Sequence, residues 1–253
     1  MTILNLAGTA DEYLKFRHGY PAELLERLKQ YSIGVEGQHV LDLGTANGLF
    51  ARDLANQGCR VTGIDLSPEL IDQARQVNET DQLPIEYLIG NVEHLPFDYM
   101  TYKVVTAAYC WHWFNSSRVA EEVHRVLENN GRLAIIDYDW IPSMSSIASH
   151  TQNLINEFNH ANQNNADPEK YTAWRNDLLK SGFSDVETFS IDVMEPYSVE
   201  SWMGRIQASP EIGGALSKDE VDRFNVKLAG YLRKETGETF DIPYRAFVII
   251  ATK

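Results

Sequence analysis

The sequence predicts an α/β fold with seven strands in one mostly parallel sheet and helices on both faces. Three observations carry this. From residue 21 onward, short apolar runs alternate with helix-length amphipathic stretches, and parallel strands joined by helical crossovers produce that alternation. The first apolar run ends in a small-residue turn, Gly44-Thr45-Ala46-Asn47-Gly48, from which a helix departs. Two helix-like stretches are inserted before a strong final strand, where a lid is naturally built.

Residues 21–31 place Leu24, Leu25 and Leu28 at helical spacing, and Pro21 suits a first turn. Residues 39–43 read as a buried strand, 48–57 as a helix and 60–66 as a second strand. Ser67 and Pro68 open the next helix as N-cap and first residue. Residues 85–89 and 103–109 are the third and fourth strands, and the crossover at 90–102 is only weakly helical. Residues 118–127 carry Val119, Val123, Val126 and Leu127 on one helical face. Asn129-Asn130-Gly131 is expected to end that helix before a fifth strand at 132–138. The stretch 143–165 is rich in Ser, Asn, Gln and His, and reads as a polar helix or a mobile cover. A helix starting at Asp167-Pro168, a strand at 186–194, two helices within 198–236 around Gly213-Gly214, and a strand at 244–252 complete the chain. The expected division is an N-terminal helical cover (1–35), a ligand-binding core (36–140), a cover with the sixth strand (141–197), the lid (198–236) and the final strand (237–253).

Composition excludes several functions. At 253 residues, 43% hydrophobic and 23% charged, the chain can bury a full core. A formal charge of −14 disfavours nucleic acid and anionic membranes as partners. No stretch approaches the ~20 apolar residues of a membrane span, and the N-terminus does not read as a signal peptide. Cys59 and Cys110 form no CxxC pair, so neither zinc nor redox chemistry is expected, and no metal site is assigned. Reduced core thiols fit a cytoplasmic protein, expected as a monomer or homodimer.

The candidate ligand site begins at the turn. Gly44 admits close approach to the backbone, Gly48 lets the helix start tight against the sheet, and the turn's N–H groups can bond a ligand. Asp65 ends the second strand 21 residues after Gly44, where a carboxylate accepts hydrogen bonds from ribose hydroxyls. The glycines read G-x-x-x-G, not the G-x-G-x-x-G of a dinucleotide fold, which disfavours a dehydrogenase.

The segments VLDLGTANG, GIDLSPELIDQA, GNVEHLPF and VHRVLENNGRLAIIDY, across residues 40–139, resemble in order and spacing the motifs of class I methyltransferases that use S-adenosylmethionine (SAM). The nearest subgroup is the small-molecule type that includes ubiquinone-biosynthesis and trans-aconitate methyltransferase-like proteins. FRHGYP, WHWF and WMGRI…GGALS extend the likeness weakly. The resemblance implies a Rossmann-like fold, SAM as cofactor and a small-molecule acceptor. By position, Gly44, Thr45, Ala46 and Gly48 would meet the methionine part of SAM, and Asp42 would lie beneath the loop. Asp65 would hold the ribose, Leu66 would pack on the adenine, Asn91 and Val92 would read its edge, and Tyr109 would join the set. Arg17 would meet the SAM carboxylate. The family usually has glycine at position 46 and Asp at position 91. Alanine resists a positive φ, whereas Asn91 can still accept through its carbonyl oxygen.

On the acceptor side, Trp111 and Trp113 would wall an apolar pocket after the fourth strand, and His112 would serve as base or orienting group. Tyr20 would line the methyl channel, near Tyr13 and His18. Trp202, Arg205 and Arg245 are candidate acceptor contacts, because arginine suits a bidentate carboxylate. Arg205 could instead pair with Glu200 or Glu211, and Arg245 with Asp241. The fourth strand continues as Ala108-Tyr109-Cys110-Trp111, not as the N/D-P-P-Y/F/W motif of many amino-group methylators. A non-catalytic SAM-binding regulator and an RNA or protein methyltransferase are the alternatives.

Overall fold

The computed structural model describes residues 19–159 and 169–253. Strands β1 (His39–Leu43), β2 (Arg60–Asp65), β3 (Ile85–Ile89), β4 (Tyr102–Ala108) and β5 (Leu127–Trp140) run parallel. Strand β7 (Thr239–Thr252) lies antiparallel between β5 and β6 (Ser184–Ser198), giving the order β3-β2-β1-β4-β5-β7-β6. The predicted mostly parallel, seven-stranded sheet is therefore present. Its order reverses between β1 and β4, and the crevice beyond the strand ends at such a reversal is where open α/β sheets bind ligands.

Alternation along the central strands feeds two cores. Val40, Val104, Ala134 and Ile136 face one side, with α1 (Ala22–Gln30) and α2 (Leu49–Asn56). Leu41, Leu43, Val105, Leu133 and Ile135 face the other, against α4 (Ser116–Val126) and α6 (Lys170–Lys180). Helix α3 (Pro68–Asp81) is started as expected, with Ser67 Oγ accepting from the Leu70 N–H at 3.3 Å and Pro68 following it. Pro21 caps α1 from outside instead of occupying its first turn.

Two expectations change and one open point is settled. The 90–102 crossover, which pattern alone leaves undecided, contains no helix; it runs through turns that α4 ties down. Glu122, only 8% exposed, accepts from the Leu95 N–H at 2.9 Å, while Arg125 donates to the carbonyls of Leu95 (2.9 Å) and Phe97 (2.7 Å). The Arg125 hydrogen bond holds the Glu122 carboxyl below its ordinary range. Next, α4 ends at Val126 and β5 starts at Leu127 rather than at 132. Leu127 pairs with Tyr102, the register then shifts, and Asn130 takes φ 58°, so Asn129-Asn130-Gly131 forms a bulge within the strand. Finally, the polar stretch after β5 yields α5 (Ser146–Phe158), capped by Ser145, with Ala148, Thr151, Leu154 and Ile155 buried. Their helical spacing outweighs the polar composition. The expected helix start at Asp167-Pro168 lies outside the described residues.

The predicted insertion is α7 (Val199–Gln207) and α8 (Lys218–Glu235), each opened by a reciprocal cap, Ser198/Ser201 and Ser217/Glu220. Trp202, Ile206, Phe224, Leu228 and Leu232 are at most 2% exposed and join the first core. These helices are thus anchored parts of the domain.

Candidate active site

The loop after β1 reverses through three left-handed residues: Gly44 (φ 57°), Ala46 (φ 51°) and Gly48 (φ 78°). Alanine occupies the left-handed region here despite its steric preference. Gly48 has the expected role, since a Cβ there would come within 2.1 Å of the Tyr87 hydroxyl on β3. At Gly44 the neighbour is protein rather than an open ligand path, because a Cβ would meet Cys110 Cβ at 2.8 Å and Phe114 at 3.1 Å. Thr45 and Asn47 are buried, and Asn47 Oδ1 has no hydrogen-bond partner among the described residues.

Asp65 ties this loop to β2. Its Oδ2 accepts from the Ala46 N–H and its Oδ1 from the Ser67 N–H, both at 2.9 Å. A carboxylate offers about four lone-pair positions, so two stay available for ribose hydroxyls. Burial raises the Asp65 pKa against these hydrogen bonds. Asp42, 1% exposed beneath the loop, accepts from Thr106 Oγ1 at 2.8 Å. Burial pushes its pKa up to about 6, and Asp65 and Asp53 push the same way. A cation above Asp42 would relieve that strain. After β3, Asn91 Oδ1 accepts from the Glu93 N–H at 2.9 Å, Val92 is buried, and Leu66 is half-buried beside Asp65. These residues fit an adenosine-containing cation: hydroxyl acceptors at Asp65, apolar surface at Leu66 and Val92, and negative charge below.

Residues 41–135 match a family model described as a methyltransferase domain. The chain carries a methyltransferase domain. An uncharacterized methyltransferase of Mycobacterium tuberculosis (strain H37Rv) is 31% identical over 134 residues, 53% of this chain and 51% of the relative. A ubiquinone biosynthesis O-methyltransferase of Coxiella burnetii (strain RSA 493) is 40% identical over 82 residues, 32% and 35% of the two chains. The chain thus spans about half the length, or less, of these curated relatives. The fold is shared with Haemonchus contortus phosphoethanolamine N-methyltransferase 2, solved with phosphomonomethylethanolamine and S-adenosylhomocysteine. The TM-score is 0.62 at 18% identity, covering all of this chain and 58% of that one.

On the other side of the crevice, the structure redistributes the acceptor candidates. Trp111 (1% exposed) lies in the core below α4, and its ring stands 6.0 Å from Phe114. Trp202 is fully buried, donates to Thr151 Oγ1 at 3.1 Å and sits edge-on to Trp140 and Tyr197. Neither ring lies on an open wall: Trp202 shares the buried face of α7 with Ile206, and Trp111 turns inward from the short turn after β4. Arg245 lies out on the β6–β7 surface and makes a two-pronged pair with Asp192, 2.6 Å at each prong. Its partner is the cross-strand residue in register, not Asp241. Trp113 (41% exposed) and His112 are at the surface of the turn after β4, with His112 5.4 Å from the Tyr109 ring. Tyr20 packs between Phe50 (4.8 Å) and Tyr138 (5.6 Å), and its N–H donates to Asp53 at 3.3 Å. Arg17, Tyr13 and His18 lie outside the described residues.

Arg205 does face the crevice, with neither Glu200 nor Glu211 as its partner. Its Nη2 lies 4.0 Å from Oδ1 of Asp139, at the end of β5. Tyr109, turned left-handed at φ 56°, donates its hydroxyl to Asp139 Oδ2 at 2.8 Å. Burial lifts the Asp139 pKa to about 6. Beside this group, Tyr138 donates to Glu195, and the Tyr197 and Tyr244 hydroxyls meet at 3.0 Å. The sequence reading missed Asp139, Glu195, Tyr138, Tyr197 and Tyr244. The only signal for Asp139 was a charged residue at the end of an apolar strand run.

Proposed function

We propose that the chain is a SAM-dependent methyltransferase acting on a small-molecule acceptor. The observation that carries this is the Ala46–Asp65 hydrogen bond. It locks the left-handed loop to a carboxylate that retains acceptor capacity at the crevice where the strand order reverses. SAM would supply an electrophilic methyl on a positively charged sulfur, so the protein's task is mainly orientation. Gly44, Thr45, Ala46 and Gly48 would shape the cradle for its methionine end, Asp42 would favour its positive charge, and Asp65 would fix the ribose. Leu66, Asn91 and Val92 would receive the adenine. Tyr20 and Tyr109 would border the methyl, with His112 at the rim.

A small acceptor is supported by the names of the ubiquinone and phosphoethanolamine relatives and by the charge of −14, which repels a phosphate backbone. Among the described residues no helix is long and apolar enough to cross a membrane, and no group of three His, Cys, Asp or Glu could hold a metal. The two buried free thiols fit a cytoplasmic protein.

The test is the thermal midpoint with SAM, S-adenosylhomocysteine and, as control, NAD. Ligand at 100 times its Kd adds about 2.7 kcal/mol, roughly 5–10 °C for this chain. SAM and S-adenosylhomocysteine should both raise the midpoint, and Asp65→Ala should abolish the rise. Absence of any shift at millimolar SAM would overturn the reading.

A further inference from the structure

Arg205 is the unexplained group of the crevice. Its side chain is 11% exposed, and its nearest carboxylate, Asp139 at 4.0 Å, is beyond hydrogen-bond range. Its guanidinium makes no hydrogen bond to the described residues, although five N–H donors are carried there. A desolvated donor set left unused is costly, and buried donors ordinarily have acceptors. Burial works against its charge, and the neighbouring Asp139 carboxylate favours it. Asp139 is surrounded closely enough for burial to raise its pKa, yet 40% of its side chain stays accessible, so an anion can reach the pair from the crevice.

We propose that Arg205 is an anion-binding residue that takes a carboxylate, sulfonate or phosphate carried by the methyl acceptor, with Asp139 beside it limiting the negative charge the site accepts. The identification of this anion as part of a methyl acceptor rests on the function proposed above; the anion site itself does not. A planar guanidinium with free N–H groups matches such oxyanions with two parallel hydrogen bonds. Asp139 is the antagonist, because its charge repels the incoming anion until it is protonated. The groups facing Asp139 are Arg205 from α7, Tyr109 from the end of β4, Tyr171 from α6, Arg245 opposite it on β7, and Asp137 from its own strand.

Isothermal titration of the cofactor-free protein with sulfate, succinate and benzoate at fixed ionic strength tests this. Wild-type protein should bind at least one of them saturably. Arg205→Gln should weaken that binding about tenfold or more, the scale of charge-assisted hydrogen bonds. Asp139→Asn should strengthen it, a change of opposite sign that generic loss of structure cannot mimic. With sulfate, binding should tighten from pH 7.5 to 5.5 in the wild type and stay flat in Asp139→Asn. Arg233→Gln, which removes an equal charge from the exposed end of α8, should bind as wild type. Equal binding by Arg205→Gln and wild type, or no saturable binding of any of the three anions, would overturn the proposal. Failure of SAM to raise the midpoint would leave the anion result standing, so the two readings fail separately.

Discussion

Two halves of the sheet's carboxyl edge are built on opposite principles. Over β1–β3 the crevice is made by backbone: a loop turning through Gly44, Ala46 and Gly48, fixed by one carboxylate, Asp65, within 22 residues of chain. Over β4–β7 it is made by side chains, Tyr109, Asp139, Glu195, Tyr197, Arg205 and Tyr244, from five separate elements across 136 residues. A backbone cradle suits a ligand that never changes, because its geometry is set by glycines and strand ends. A side-chain wall can be re-specified one residue at a time. On the function proposed above, constancy belongs to the β1–β3 half, which would hold the cofactor, and specificity to the β4–β7 half, which would hold the acceptor.

The largest expected effect probes the backbone half. Gly48→Ala must place a Cβ within 2.1 Å of the Tyr87 hydroxyl and 2.7 Å of its ring carbon, at a φ of 78°. Left-handed strain of about 1–2 kcal/mol and overpacking of about 1–3 kcal/mol together predict a loss near 3 kcal/mol. A fall of roughly 6–12 °C in thermal midpoint checks this. A loss below about 1 kcal/mol would mean that α2 slides away from β3, and the cradle would not be rigid.

The difference between the halves also explains what could be read from sequence. Strand–turn–helix grammar exposed the loop positions of Gly44, Gly48 and Asp65, because each depends on local backbone, although the space at Gly44 is taken by Cys110 and Phe114 and not by an open ligand path. Trp111, Trp202 and Arg245 misled because residue type was taken as role. Two of them are core rings, Trp202 at helical spacing from Ile206 and Trp111 in a short turn without periodicity, and the third answers Asp192, 53 positions away on the neighbouring strand. Asp139 was invisible because its meaning comes from Tyr109 and Arg205, 30 and 66 positions distant. The short crossover before β4 was undecidable for the same reason, since Glu122 and Arg125 lie on a later helix.

A second prediction concerns the acid beneath the loop. The folded pKa of Asp42, about 6, stands above its ordinary value of 3.8. The folded state therefore binds more protons between about pH 4 and 6, and this group's contribution to stability falls as the pH rises through that window. At pH 7.5 the charge is a burden on the order of 3 kcal/mol. Asp42→Asn should accordingly raise the midpoint at pH 7.5, lose that advantage as the pH approaches 4, and shrink the shift produced by SAM. A variant no more stable than wild type at pH 7.5 would show that the Thr106 hydrogen bond compensates the buried charge in full. A variant with an undiminished SAM shift would remove Asp42 from the cofactor half.

The smallest effect is the most informative about how the cradle was tuned. Ala46 stands at φ 51°, where alanine carries about 1 kcal/mol of strain that glycine would not. Glycine in turn costs about 0.4–1 kcal/mol through the larger freedom of its unfolded chain. The two nearly cancel, so Ala46→Gly should move the midpoint by no more than about 2 °C. SAM affinity is the sensitive readout, because the Ala46 N–H is the group that holds Asp65 at 2.9 Å. If the methyl group of Ala46 stiffens the loop in its binding shape, glycine lowers the affinity while leaving stability alone. An increase in affinity would instead mean that the methyl crowds the methionine end, and that the cradle here works against a side chain glycine would omit.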